Sequence, residues 1–95
     1  MYTPNVDYDW DLEKAKTNLE KHDVSFEEGA SVFNDRLYVD FYDPDHSMEE
    51  HRYIIIGLSS AGRLLLVSYT ERENTIRLIS AREVTPAERR AYEEG

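Results

Sequence analysis

The stretch RLLLVSYTERENTIRLISAREVTPAERRAYEEG, Arg63 to Gly95, decides the reading of this chain. Leu64 to Tyr69 is nearly all apolar, the pattern of a central strand covered on both faces. Glu71 to Asn74 is a polar turn, and Thr75 to Arg82 reads as the next strand. Thr85-Pro86-Ala87-Glu88 combines an N-cap threonine, proline at the first helical position and a glutamate that completes a capping box. The helix it opens runs to about Glu94. Arginines are spaced through the whole stretch. Guanidinium groups are planar, permanently charged and shaped to grip phosphate, so RNA is the leading candidate substrate.

Upstream, Asp9-Trp10-Asp11 reads as a helix start, with Leu12, Ala15, Lys16 and Leu19 at helical spacing as far as about Lys21. Ser25-Phe26-Glu27-Glu28 reads as a capping box opening a second helix, which Asn34-Asp35 closes. Leu37 to Tyr42 alternates and is aromatic and β-branched, so it reads as a strand. Asp43 to Glu50 is a polar loop, Arg52 to Leu58 a strand, and Ser59-Ser60-Ala61-Gly62 a hairpin turn. The expected order is α-α-β-β-β-β-α: an α+β chain with a four-stranded antiparallel sheet and helices packed on one face.

A chain of 95 residues is expected to form one domain over residues 1–95. It has no cysteine, which excludes disulfides, thiol nucleophiles and cysteine-based zinc sites, and fits a reducing cytoplasm. It opens on no charged-then-apolar leader and has no long apolar run, so neither export nor membrane spanning is expected. The net charge of −9 argues at first against nucleic acid. The charge is polarised, however. Residues 1–50 hold 14 acids and four bases, whereas residues 51–95 hold six acids and seven arginines. If the fold separates these halves, one face holds RNA while the other repels it; alternatively, a sheet-rich half simply carries fewer acids.

Several short motifs in order carry a resemblance: Lys21-His22, Tyr69-Thr70-Glu71-Arg72, Ile79-Ser80-Ala81-Arg82, and Glu88-Arg89-Arg90 with Tyr92-Glu93. From Trp10 to Glu94 the chain resembles the BrnT family, toxins of type II toxin–antitoxin systems. The resemblance implies a RelE-like ribonuclease fold and RNA cleavage that inhibits translation. It also implies a BrnA-like ribbon-helix-helix antitoxin in a higher-order complex that represses its own operon, with DNA contacted only through the antitoxin. Asp23 departs from the family, which usually has glycine there; the site follows a helix end and wants a left-handed backbone.

Metal-free RNA cleavage uses the 2′-hydroxyl as nucleophile and needs a proton acceptor, a proton donor and cations at the phosphate. It requires no cofactor. Histidine is the class that titrates near neutrality, so His22 is the acid–base candidate; otherwise it is a capping or core-edge residue. His22, Arg72 and Arg82 are the expected catalytic residues, with Lys21, Arg77, Arg89 and Tyr92 binding RNA. Each arginine has the alternative of a surface ion pair. Arg77 and Arg82 stand at odd separation on one strand, so they are expected on opposite faces, with only one facing the site. Arg89 and Tyr92 share a helix face and either contact RNA or pack on the sheet. Tyr69 reads as core, and Glu88 as a capping residue. Asp43, Asp45, His46, Glu49, Glu50 and His51 carry metal-ligand chemistry, but their spacing matches no metal motif and no metal is expected. The alternative function is an inactive toxin-like module that only pairs with its antitoxin; a second rival is an unrelated metal-dependent enzyme using the 43–51 loop.

Overall fold

The structure is a computed structural model and describes residues 6–47 and 50–95. The elements are β1 (Asp7–Asp9), α1 (Leu12–His22), α2 (Phe26–Ser31) running into a 3-10 turn (Val32–Asn34), and β2 (Val39–Tyr42). A second 3-10 turn (Pro44–His46), β3 (Tyr53–Leu58), β4 (Leu64–Arg72), β5 (Thr75–Glu83) and α3 (Pro86–Glu94) follow.

The local signals produced most of these elements. Asp11 caps α1, its Oδ1 accepting from the Glu13 and Lys14 N–H groups at 2.8 and 3.1 Å. Asp23 closes α1 in the left-handed conformation, φ 57° and ψ 36°, and donates its N–H to Leu19 O. Ser25 caps α2 by accepting from Glu28 N–H. The return half of that expected box is replaced: the Glu28 carboxylate holds Arg63 Nε at 3.0 Å and Ser59 Oγ at 2.6 Å instead. This ties the start of α2 to the β3–β4 hairpin. At Thr85 and Glu88 both halves of the capping box form.

The sheet corrects the expected topology. It has five strands in the order β1-β5-β4-β3-β2, antiparallel except that β1 runs parallel to β5. The added strand, Asp-Tyr-Asp, is three exposed residues long, too short and too acidic to signal a strand before its partner is known. β4 is the central strand, as its apolar run required. The polar Glu71-Arg72 continues it, leaving Glu73 and Asn74 as a two-residue turn with Glu73 at φ 53°.

The helices divide between the two sheet faces, against the expectation that they share one. Phe26, Val24 and Val32 pack on Leu65, Val67 and Leu78, on the face that α1 and α2 cover. On the other face a smaller cluster of Ile56, Leu64 and Leu66 meets Tyr92 of α3. Alternation along β4 supplies both layers, since Leu64 and Leu66 point one way and Leu65 and Val67 the other. Gly29 lets α2 sit close on β5, because a Cβ there would lie 3.1 Å from Ala81 Cβ. Tyr69 is core, 3% exposed, stacked on Tyr53 and edge-on to Phe33. Among the described residues no helix is long and apolar enough to cross a membrane.

One contact completes the sheet edge. β1 pairs β5 only at Thr75 to Arg77, so the edge beyond lacks a strand partner. Asn18, 7% exposed on α1, fills that role: its amide donates to Ala81 O at 2.8 Å and accepts from Ala81 N–H at 3.1 Å. Its second amide hydrogen reaches Val24 O at 2.9 Å.

Candidate active site

The site begins with an irregularity in β5. Ser68 pairs with Ser80, but Tyr69 pairs with Leu78, so Ile79 is an extra residue on β5. Such a bulge inverts the facing of everything beyond it. Arg82 lies opposite Leu66 and Arg77 opposite Thr70, positions of β4 that share a face. Both arginines therefore project from the α3 side of the sheet, which corrects the expectation that they are opposed.

On that face lies a half-open cleft of about 300 Å³. Ile54, Leu66 and Ile79 form its floor; Arg52, Arg82, Ser68 and Ser80 bring cations and hydroxyls to it; Asp43, His46 and Glu88 complete the wall. Arg82 is gripped by Glu88 through Nη1–Oε1 at 2.8 Å and Nη2–Oε2 at 2.9 Å, and Nη1 also donates to Glu83 O. The hydrogen bond from Arg82, outweighing partial burial, and the Thr85 N–H hold the Glu88 carboxyl down to about 2. The pair thus stays charged across the neutral range. Arg52 makes no ion pair among the described residues.

The 43–47 turn on the far wall is tied in place. Asp43 N–H donates to Arg52 O, the Ser47 hydroxyl donates to Asp43 O, and Arg52 N–H donates to Ser47 Oγ. His46 stands on this turn with Nδ1 2.9 Å from Asp43 Oδ2. Among the described residues, no three metal-binding side chains gather there or elsewhere. Glu49, one of the loop acids, lies outside the described residues.

Of the seven site residues expected from sequence, Arg82 alone lines this cleft. His22 and Lys21 line a second groove, between α1 and β5, with Lys14, Thr17 and Asn18. The two hollows meet at Ile79 and Ser80, which line both. Arg72 pairs with Glu50 at 3.1 Å, and Arg77 with Asp9 at 2.7 Å. Arg89 is exposed on α3. Tyr92 packs on the sheet, and its hydroxyl donates to Asp35 Oδ2 at 2.7 Å, which pushes its own pKa up to about 12. Arg52 is not among the expected site residues, and His46 enters the sequence reading only as part of a loop with metal-ligand chemistry. Arg52, just before β3, shares parity with Ile54, so its face was legible, but which face stays open depends on where α3 docks.

Fold and cleft together define a small α+β domain that presents arginines and hydroxyls from one sheet face, a construction suited to binding phosphate. The profile of the ribonuclease toxin BrnT, of type II toxin–antitoxin systems, matches residues 10–88, and the chain belongs to this BrnT family. The crystal structure of the Brucella abortus ribonuclease toxin BrnT, at 1.1 Å resolution, is similar, with a TM-score of 0.62. The match covers 85% of this chain and 99% of that one at 19% identity, a likeness of fold. No curated protein is significantly similar in sequence.

Proposed function

We propose that this BrnT-family chain is a metal-independent endoribonuclease toxin that cuts RNA in the sheet-face cleft and thereby inhibits translation. Its partner in this reading is a BrnA-like ribbon-helix-helix antitoxin, which binds operator DNA for the pair. The observation that carries the reading is the meeting of Arg52 and Arg82 with Ser68 and Ser80 on one open face. In-line attack by a 2′-hydroxyl places extra negative charge on the phosphate oxygens, and fixed guanidinium donors stabilise that charge. Arg82 retains donors beyond those engaged by Glu88, since a guanidinium carries five N–H groups. The carboxylate also fixes the plane in which those donors point. The acids that make the chain −9 overall leave this patch mixed rather than acidic.

The test is cleavage of RNA in EDTA, free and in a translating extract. Arg82→Ala is expected to lower the rate by roughly 100-fold or more, the usual size for loss of a transition-state donor. A folded Arg82→Ala variant with the wild-type rate would reject the cleft as the site. A second reading, an inactive module that only binds its antitoxin, is favoured by Glu88 already occupying Arg82. Antitoxin binding by a wild-type protein that cuts neither substrate would select it.

A further inference from the structure

We propose that His46 is the general base of this ribonuclease, positioned by Asp43, an inference that rests on the cleft being the site of RNA cleavage. The reaction needs a group to accept the 2′-hydroxyl proton, and arginine is too strongly protonated to serve. Among the residues that line the cleft, His46 is the one imidazole. Its side chain is 66% exposed, so it is open to substrate, whereas the Asp43 side chain is 14% exposed and sheltered by the turn. The Asp43 carboxylate accepts hydrogen bonds and donates none when ionised. At 2.9 Å it therefore keeps the proton on Nδ1 of the neutral ring. The lone pair is left on Nε2, the nitrogen free to meet substrate. This is the division of labour of a base and its orienting carboxylate.

The backbone supports that role. Asp43 and Ser47 are both bonded to Arg52, at the entry to β3. The turn that holds the imidazole is thereby fixed to the residue that brings a guanidinium into the same cleft. The charged groups that share the cleft with His46 are Asp43 on its own turn, Arg52 just before β3, Arg82 from β5 and Glu88 from α3, with Asp45 beside it in the turn. His51, the neighbouring histidine, is turned to the Tyr42 hydroxyl at 3.1 Å instead.

In the step itself His46 Nε2 removes the 2′-hydroxyl proton as the 2′-oxygen bonds to phosphorus. The bond from phosphorus to the 5′-oxygen breaks, and that oxygen takes a proton from water entering the half-open cleft. The products are a 2′,3′-cyclic phosphate and a 5′-hydroxyl, with no oxidant, metal or external nucleophile in the balance. His46 returns its proton to solvent.

The experiment is single-turnover cleavage of an end-labelled single-stranded RNA in EDTA between pH 5 and 9, repeated on mRNA in a translating extract. Wild type, His46→Gln, Asp43→Asn and His22→Ala are compared after circular dichroism shows each to be folded. In wild type the rate is expected to rise with pH and then level, as general-base catalysis requires. His46→Gln is expected to lose roughly 100-fold or more and to flatten that rise. Asp43→Asn, with its backbone bonds to Arg52 and Ser47 intact, is expected to lose less, in the saturated single-turnover rate and not in RNA affinity. The 2′,3′-cyclic end should appear in wild type. A folded His46→Gln protein with wild-type rate and pH profile overturns the assignment while leaving the ribonuclease reading in place. So does loss of the pH-dependent limb in His22→Ala alone. A wild-type protein that cuts neither substrate overturns the ribonuclease reading and this assignment with it.

Discussion

Asn18→Ala is the sharpest test of how this fold is held. Asn18 makes three hydrogen bonds, to Val24 O at 2.9 Å, to Ala81 O at 2.8 Å and from Ala81 N–H at 3.1 Å. A net hydrogen bond is worth about 1 kcal/mol, and a buried group left without its partner costs about 1–3 kcal/mol. Alanine strands three main-chain groups, but the groove beside Asn18 is open enough for water to reach some of them. The expected loss is therefore about 3 kcal/mol, three groups each at the low end of about 1 kcal/mol. That is a large part of the ~5–15 kcal/mol by which domains are stable. For a domain of this size it lowers Tm by roughly 12–24 °C. Urea unfolding followed by circular dichroism measures it directly. Asn18→Asp is the companion variant: its carboxylate still accepts from Ala81 N–H but faces two carbonyl oxygens, so its cost should grow as the acid ionises. A loss below about 1 kcal/mol in Asn18→Ala would refute the idea that this side chain stands in for a missing strand.

Two further outcomes follow from the helix ends. Asp23→Gly should stabilise the protein by about 0.5–1 kcal/mol, because glycine adopts the observed left-handed conformation without a Cβ penalty; the backbone carbonyl that accepts from Arg63 is retained. A shift of the urea midpoint to higher concentration at unchanged slope checks it. The Glu88 carboxyl, held down to about 2, contributes stability above its ordinary unfolded value near ~4.3, and that contribution is lost as pH falls towards 2. After allowance for solvent screening of this partly exposed pair, Glu88→Gln should cost about 1 kcal/mol at pH 7, and the difference from wild type should close near pH 2. A constant difference across that range would show that the charge on Glu88 contributes nothing.

Asp35 shows how one carboxylate joins distant parts of the fold. Burial pushes its pKa up, but hydrogen bonds from Leu58 N–H, the Tyr92 hydroxyl and Leu37 N–H more than reverse that, and it lies below the ordinary carboxylate value. It thereby fastens α3 and the end of β3 to the loop before β2. By docking there, α3 covers one end of its sheet face and leaves the arginine-lined cleft beside it.

The amino-acid pattern by itself determined the helix caps at Ser25 and Thr85, a helix start within Asp9–Asp11 that the structure narrows to a cap at Asp11, the left-handed cap at Asp23, the central place of Leu64–Val67 and the burial of Tyr69. These are local properties, set by backbone sterics, by unpaired N–H groups at helix ends and by alternation along a strand. The motifs around Lys21-His22 and Ile79 to Arg82 also carried the family. Only the tertiary structure decided the rest. β1 exists because β5 offers it an edge, not because Asp-Tyr-Asp favours a strand. The bulge at Ile79 is a feature of pairing with β4, and it turned two arginines onto one face that simple alternation had set apart. Asn18 is a polar residue in mid-helix, and its burial follows only from the strand edge that comes beside it. His46, Arg52 and Arg82 lie on three separate segments, and what brings them together is the register of the sheet and the face on which α3 settles. Residue spacing along one chain encodes neither, because both are set by which distant surfaces bury one another.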